Sequence, residues 1–100
     1  MGRAKRIHGV DFATRLGENL AACRRRADLS QEELGWRAGL HRTEIGHLEQ
    51  GRRVARADTL VKLAGALSIS PVELLDGLVW VPAPAPNGRF AIDPPRMAEI

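Results

Sequence analysis

Apolar residues recur along this chain at three- and four-residue steps, in short blocks separated by Ser, Gly and Pro. Phe12, Leu16, Leu20 and Cys23 form the first block and predict a helix over about residues 11–27. Ser30-Gln31-Glu32-Glu33 reads as a capping box, with Ser30 capping and Glu33 reaching back. It starts a second helix through about Ala38, with Leu34 and Ala38 inward, and Gly39 ends it as a residue free to take positive φ. Leu40 and Ile45 then flank the cap position His41 as a hydrophobic staple. The third helix runs from Arg42 to Gln50 and stops at Gly51. After the loop GRRVAR, the apolar positions Leu60, Leu63, Ala64 and Leu67 predict a fourth helix. Ser70-Pro71-Val72-Glu73 is a second capping-box pattern, with Pro in its favoured first helical position, and opens a short fifth helix ending near Gly77.

From Val79 the pattern changes. Pro82, Pro84 and Pro86 enforce extended backbone and Asn87-Gly88 is a turn signal. Leu78–Val81 and Phe90–Ile92 can pair as a hairpin across that loop, and an unstructured tail fits the same residues equally well. The expected class is therefore all-α: a five-helix domain over residues 11–78, a basic arm over 1–10, and a Pro-rich extension over 79–100. The second and third helices share a tight Gly-containing turn, the arrangement of a helix-turn-helix, whose second helix enters the DNA major groove.

The third helix has an unusual outward face. At about 100° per residue, Ile45 and Leu48 fall on one side, and Thr43, Gly46, His47 and Gln50 on the other, with Arg42 at the leading edge. Gly46 in mid-helix costs roughly 1 kcal/mol relative to Ala. A low, polar face kept at that cost suits close approach to another surface.

Charge sharpens the picture. The 100 residues carry a net charge of only +3, but residues 1–56 hold 12 basic against 7 acidic side chains, and residues 57–100 hold 3 against 5. Thirteen of the fifteen basic residues are Arg, suited to phosphate forks and guanine edges. No apolar run approaches 18 residues and no signal-peptide core is present, so the expected location is cytoplasmic, on the nucleoid, without a membrane partner. The lone Cys23 lies on the apolar stripe and offers neither a disulfide nor a metal motif. His41 and His47 stand about 240° apart around the helix, so they cannot face one ion together with Glu44. No nucleophile–base pair or glycine-rich phosphate loop stands out, and neither enzymatic activity nor a cofactor is expected.

The segments LSQEEL, Gly39–Glu49, LVKLAGAL and SPVELL, in this order and spacing, resemble the lambda-repressor/Cro-like (XRE) family of bacterial and phage regulators over about Phe12 to Leu75. Gly35, where the family usually has Ala, and His41, where a Ser or Thr cap is commoner, are mild departures. The resemblance implies that Arg42, Thr43 and His47 read base edges, with His41 and Gln50 at the margin. It implies that Gln31 clamps the DNA backbone, as its place at a helix start also suggests. It implies, too, that Arg24 and Glu49 join the first and third helices by an ion pair. Arg52, Arg53 and Arg56 follow the third helix as candidate phosphate contacts, and Arg3, Lys5 and Arg6 extend them through the arm.

Leu74 and Leu78, with Trp80 nearby, form an apolar strip if Val72 and Leu75 face the core, and the expected dimer interface runs through residues 74–82, with tail strands as a further element that can extend it. A homodimer on a pseudo-palindromic operator follows, its recognition helices about 34 Å apart. Double-stranded DNA is then the partner and regulation of transcription, most simply repression, the function. Two rivals use the same fold: an autoregulating antitoxin that holds a toxin through the tail, and a helical protein–protein adaptor that does not bind DNA.

Overall fold

The computed structural model describes residues 11–84 and 86–93. Five helices come first: α1 (Phe12–Arg26), α2 (Gln31–Ala38), α3 (Arg42–Glu49), α4 (Ala57–Leu67) and α5 (Pro71–Leu74). Two strands follow, β1 (Leu78–Pro82) and β2 (Gly88–Ile92). The chain divides into a helical unit, Ala13–Asp76, and a second unit that groups the hairpin with Phe12.

In the helical unit the boundaries lie where local chemistry puts them. The Ser30 hydroxyl accepts from the Glu33 amide, and the Glu33 carboxylate accepts from the Ser30 amide at 2.8 Å, closing the expected capping box. The bond from the Ser30 amide, with the Ser30 side chain beside it, favours the ionised form and holds the Glu33 carboxyl below the usual carboxylate range. Gly39 and Gly51, at φ 74° and 75°, take the left-handed conformation that follows α2 and α3. His41 caps α3 in place of the commoner hydroxyl residue, its Nδ1 accepting from the Thr43 amide at 3.0 Å. Ser70 caps α5 through the Val72 amide alone, without the reciprocal Glu73 bond that the sequence pattern suggests.

The core is aliphatic. Leu16, Leu20, Leu48, Ala55, Leu60, Leu63 and Leu74 converge on a residual void of only about 10 Å³, so α1, α3, α4 and α5 meet at near-native packing density. Leu34 and Ile45 are fully buried. Cys23 is a buried core residue, and desolvation pushes its thiol above the ordinary range.

One close approach was not visible in the hydrophobic pattern. Gly17 lies buried in α1 against the end of α3. A Cβ there would overlap the Leu48 carbonyl oxygen and stand 2.6 Å from that of Glu49. Backbone cannot yield as a flexible side chain can. Gly17→Ala is therefore expected to destabilise the protein by about 1–3 kcal/mol, outweighing the roughly 1 kcal/mol gained in helix propensity. Urea denaturation of the variant checks this.

The orientation of α5 departs from expectation. Leu74 is completely buried and Val72 is 71% exposed, the reverse of the arrangement the sequence suggests. Four residues make barely one turn, too few for apolar spacing to define a face. Tertiary contacts decide instead: the Asn19 side-chain amide donates to the carbonyls of Leu74 (2.9 Å) and Asp76 (3.0 Å) and ties the end of α5 to α1. Leu74 therefore belongs to the core and not to a dimer surface.

In the other unit Leu78–Pro82 and Gly88–Ile92 form the hairpin, and residues 94–100 of the extension lie outside the described residues. The strands pair antiparallel, with Leu78 opposite Ile92, Trp80 opposite Phe90 and Pro82 opposite Gly88. Ala83 and Asn87 close the loop by an amide-to-carbonyl bond of 3.1 Å. Trp80 lies across Gly88, where a Cβ would overlap the indole ring. Phe90 packs edge-on against Trp80 and tilted against Phe12, at centroid separations of 5.0 and 4.8 Å.

Candidate nucleic-acid interface

α3 buries Ile45 and Leu48 and turns its other side outward. His41, Arg42, Thr43 and Gln50 are exposed, and Glu44, Gly46 and His47 are half-buried. The open face thus begins at the amino-terminal end, where His41 holds the first turn in place through the Thr43 amide. Arg42 and Thr43 follow directly.

Gly46 is the counterpart of Gly17, with the opposite cause. A Cβ at Gly46 would meet nothing closer than Gln31 Oε1 at 3.9 Å. Intramolecular packing does not require glycine at this position, so Gly46→Ala is expected to stabilise the free protein, by up to about 1 kcal/mol. The same methyl group is expected to weaken binding to a ligand seated on this face. Parallel melting and DNA titration of the variant separate the two effects.

Beneath the face lies a polar network. Arg24 donates from Nε to Glu49 Oε2 at 2.6 Å and from Nη2 to Oε1 at 3.1 Å, a bidentate fork that makes the ion pair anticipated between the first and third helices. Its Nη1 donates to the Leu29 carbonyl at 2.8 Å. Gln31 adds a third bond to Glu49, from Nε2 to Oε1 at 2.9 Å. The ion-pair side chains are only 13% and 6% exposed, and bonding to Glu49 raises the already high pKa of Arg24. The network joins α1, the loop before α2, the start of α2 and the end of α3.

Gln31 therefore has an additional part: its side chain is held by Glu49, while its backbone amide sits in the first turn of α2, among the amides without an intrahelical partner. Arg52 and Arg53 are exposed in the turn after Gly51, and the Arg52 amide is anchored to the His47 carbonyl at 2.9 Å. Arg56 is exposed and lies 3.4 Å from Asp58, an ion pair open to solvent and correspondingly weak. Arg3, Lys5 and Arg6 fall outside the described residues.

Trp36 was not singled out by the sequence reading. It is 85% exposed on α2 and lines a shallow concavity of about 400 Å³ with Glu32, Leu40, His41 and Arg42. Its position opposite Leu34 and Ala38 on a helical projection is the signal that could have found it. Among the described residues no three His, Cys, Asp or Glu side chains are grouped as metal ligands, and no helix is long and apolar enough to cross a membrane.

Comparison with known proteins agrees with this architecture. The helix-turn-helix domain family matches residues 15–76. An HTH-type transcriptional regulator of Sinorhizobium fredii, y4dJ, is 41% identical over 66 residues, covering 66% of this chain and 86% of the relative. The crystal structure of the restriction-modification controller protein C.AhdI from Aeromonas hydrophila superposes with a TM-score of 0.61 at 39% identity, covering 62% of this chain and 94% of that one. The P22 c2 repressor, solved with a synthetic operator, is similar at 29% identity and a TM-score of 0.56, over 59% of this chain and 89% of that one. The chain belongs to the helix-turn-helix family, with the lambda-repressor-like fold. Its class is that of DNA-binding transcriptional regulators, and not of enzymes.

Proposed function

We propose that this regulator binds a pseudo-palindromic operator as a homodimer, inserting α3 into the major groove of each half-site, and represses transcription from the promoter it occupies. The observation that carries the reading is the open face of α3, where exposed Arg42 and Thr43 lead past an unobstructed Gly46 while Ile45 and Leu48 anchor the opposite side. Arg42 would fork to guanine O6 and N7, and Thr43 would offer its hydroxyl or pack its methyl group on thymine. His47, with His41 and Gln50 at the margin, would complete the readout. Arg52, Arg53 and Arg56, the Gln31 backbone amide and the basic arm (Arg3, Lys5, Arg6) would hold phosphates. The protein would act on chromosomal DNA in the cytoplasm. Neither the antitoxin nor the adaptor reading is favoured by the relatives, whose names are those of transcriptional regulators, controllers and repressors.

Selection of bound sequences from a random duplex pool tests the proposal. The expected result is enrichment of an inverted repeat whose half-sites lie about one helical turn apart, or a multiple of it. A bound pool as random as the input would overturn it.

A further inference from the structure

We infer that the outer edge of β2 is a dimerisation surface, on which a second copy of the chain adds its own β2 antiparallel to make a four-stranded sheet. The inference extends the homodimer proposed above, but it stands on the hairpin alone.

The hairpin is apolar on both sides. Trp80, Phe90 and Ile92 share one face and remain 54%, 38% and 41% exposed, whereas on the other face Val79 is 36% exposed and its partner Ala91 is buried. A two-stranded sheet of this kind is marginal in water by itself. Residues Gly77 to Asp93 include only Arg89 and Asp93 as charged groups, which suits a neutral, self-complementary partner better than a polyanion.

The ladder shows which edge can accept a strand. Asp93 donates its amide to the Gly77 carbonyl at 2.7 Å, so the amide and carbonyl of Asp93 point into the hairpin. By antiparallel alternation Ala91 and Arg89 also point inward, and Ile92, Phe90 and Gly88 point outward. On β1 the same alternation turns Leu78, Trp80 and Pro82 outward, and Pro82 has no N–H to donate. The outer edge of β1 is thus blunted by proline, and that of β2 keeps its full set of donors. Among the described residues the sheet has these two strands and no third.

Charge selects the register. A two-fold axis through Ala91 sets Phe90 opposite Ile92 of the second copy, pairing the outward backbone groups, and sets Arg89 opposite Asp93 of the second copy on both sides. An axis through Arg89 or Asp93 would place like charges together. Ala91 would form the non-hydrogen-bonded pair on the axis, where Cα atoms approach to about 4.5 Å and a small side chain is needed. From side chains of these sizes, the exposed apolar area on the hairpin is on the order of 300 Å² per copy. A standard interface takes about 800 Å² per partner. The dimer should therefore be modest in strength, with a dissociation constant in the micromolar range.

Disulfide trapping in the full chain, with Cys23→Ala to remove the native thiol, tests the arrangement. Ala91→Cys places two thiols across the axis within disulfide reach, and Val81→Cys on β1 serves as the control. The expected result is rapid covalent dimer for Ala91→Cys and little for Val81→Cys. In sedimentation, the wild type should dimerise over the micromolar range. Ile92→Pro, which removes an outward N–H but no bond of the hairpin's own ladder, should weaken that dimer at least about tenfold. Equal trapping of the two cysteine variants would overturn the inference, as would a wild-type dimer indifferent to Ile92→Pro. So would a monomer whose Phe90 and Ile92 amides resist hydrogen exchange, since the edge would then be covered by the chain's own arm or tail. Failure to select an operator would leave all of these results unaffected, and so separates the DNA-binding proposal from this one.

Discussion

Arg24→Ala is expected to remove about 3–5 kcal/mol of folding stability, a large share of what a domain of this size possesses. The cause is what remains after truncation. Glu49 is 6% exposed on its side chain and would lose both guanidinium bonds, leaving Gln31 as its one remaining side-chain donor among the described residues. A buried carboxylate in that state must recruit water or distort the end of α3. The Leu29 carbonyl loses its Arg24 donor as well. Gln31→Ala, which removes one neutral donor and leaves the ion pair intact, should cost only about 1 kcal/mol. Replacing Arg24 and Glu49 together by Met and Leu should cost much less than Arg24→Ala alone, because neither residue then strands a charge. Urea denaturation of the three variants measures all of this. Comparable losses for Arg24→Ala and Gln31→Ala would mean that water already screens the pair.

On DNA, Arg42→Ala and Arg52→Ala should fail in different ways. Arg42 leads the open face of α3, and its loss should cost about 1–3 kcal/mol, with preference relaxed at one base pair per half-site. Arg52 sits in the turn beyond α3, held by its amide to the His47 carbonyl. Contact with a phosphate carries no base identity, so Arg52→Ala should weaken all sequences alike and flatten the salt dependence of binding. Binding profiles across a randomised operator, repeated at two salt concentrations, distinguish the two patterns. The same uniform change from both substitutions would rule out α3 as the reading helix.

Much of this arrangement could be read from local chemistry. Ser30 and Glu33 are three residues apart, and the capping box they close needs nothing from the rest of the chain. Gly39 and Gly51 end their helices because a left-handed residue is cheapest without a Cβ. The buried and open sides of α3 followed from helical spacing, because Ile45 and Leu48 leave only one way to turn eight residues against a core. The pairing of Arg24 with Glu49 was legible in a different way, through resemblance, since 25 residues of chain separate the partners.

What local spacing could not decide was decided by packing across long separations. α5 is a single turn, and the face it buries depends on Asn19, 55 residues away from Leu74. Gly17 and Gly46 look alike in sequence, each a glycine inside a helix. Only the fold shows that a side chain at Gly17 would strike the backbone of α3, while one at Gly46 would make no contact closer than 3.9 Å, to Gln31 Oε1. The extension after Leu78 was equally compatible with a hairpin or a free tail, because two short strands are marginal by themselves. Aromatic contacts among Phe12, Trp80 and Phe90 fill that gap. Sequence periodicity thus determined where helices start, stop and show an apolar stripe, since those properties arise within a few residues. Tertiary structure decided which glycines are packed, which leucine is core and whether Leu78–Pro82 and Gly88–Ile92 pair as strands, because each depends on atoms that the chain brings together only by folding.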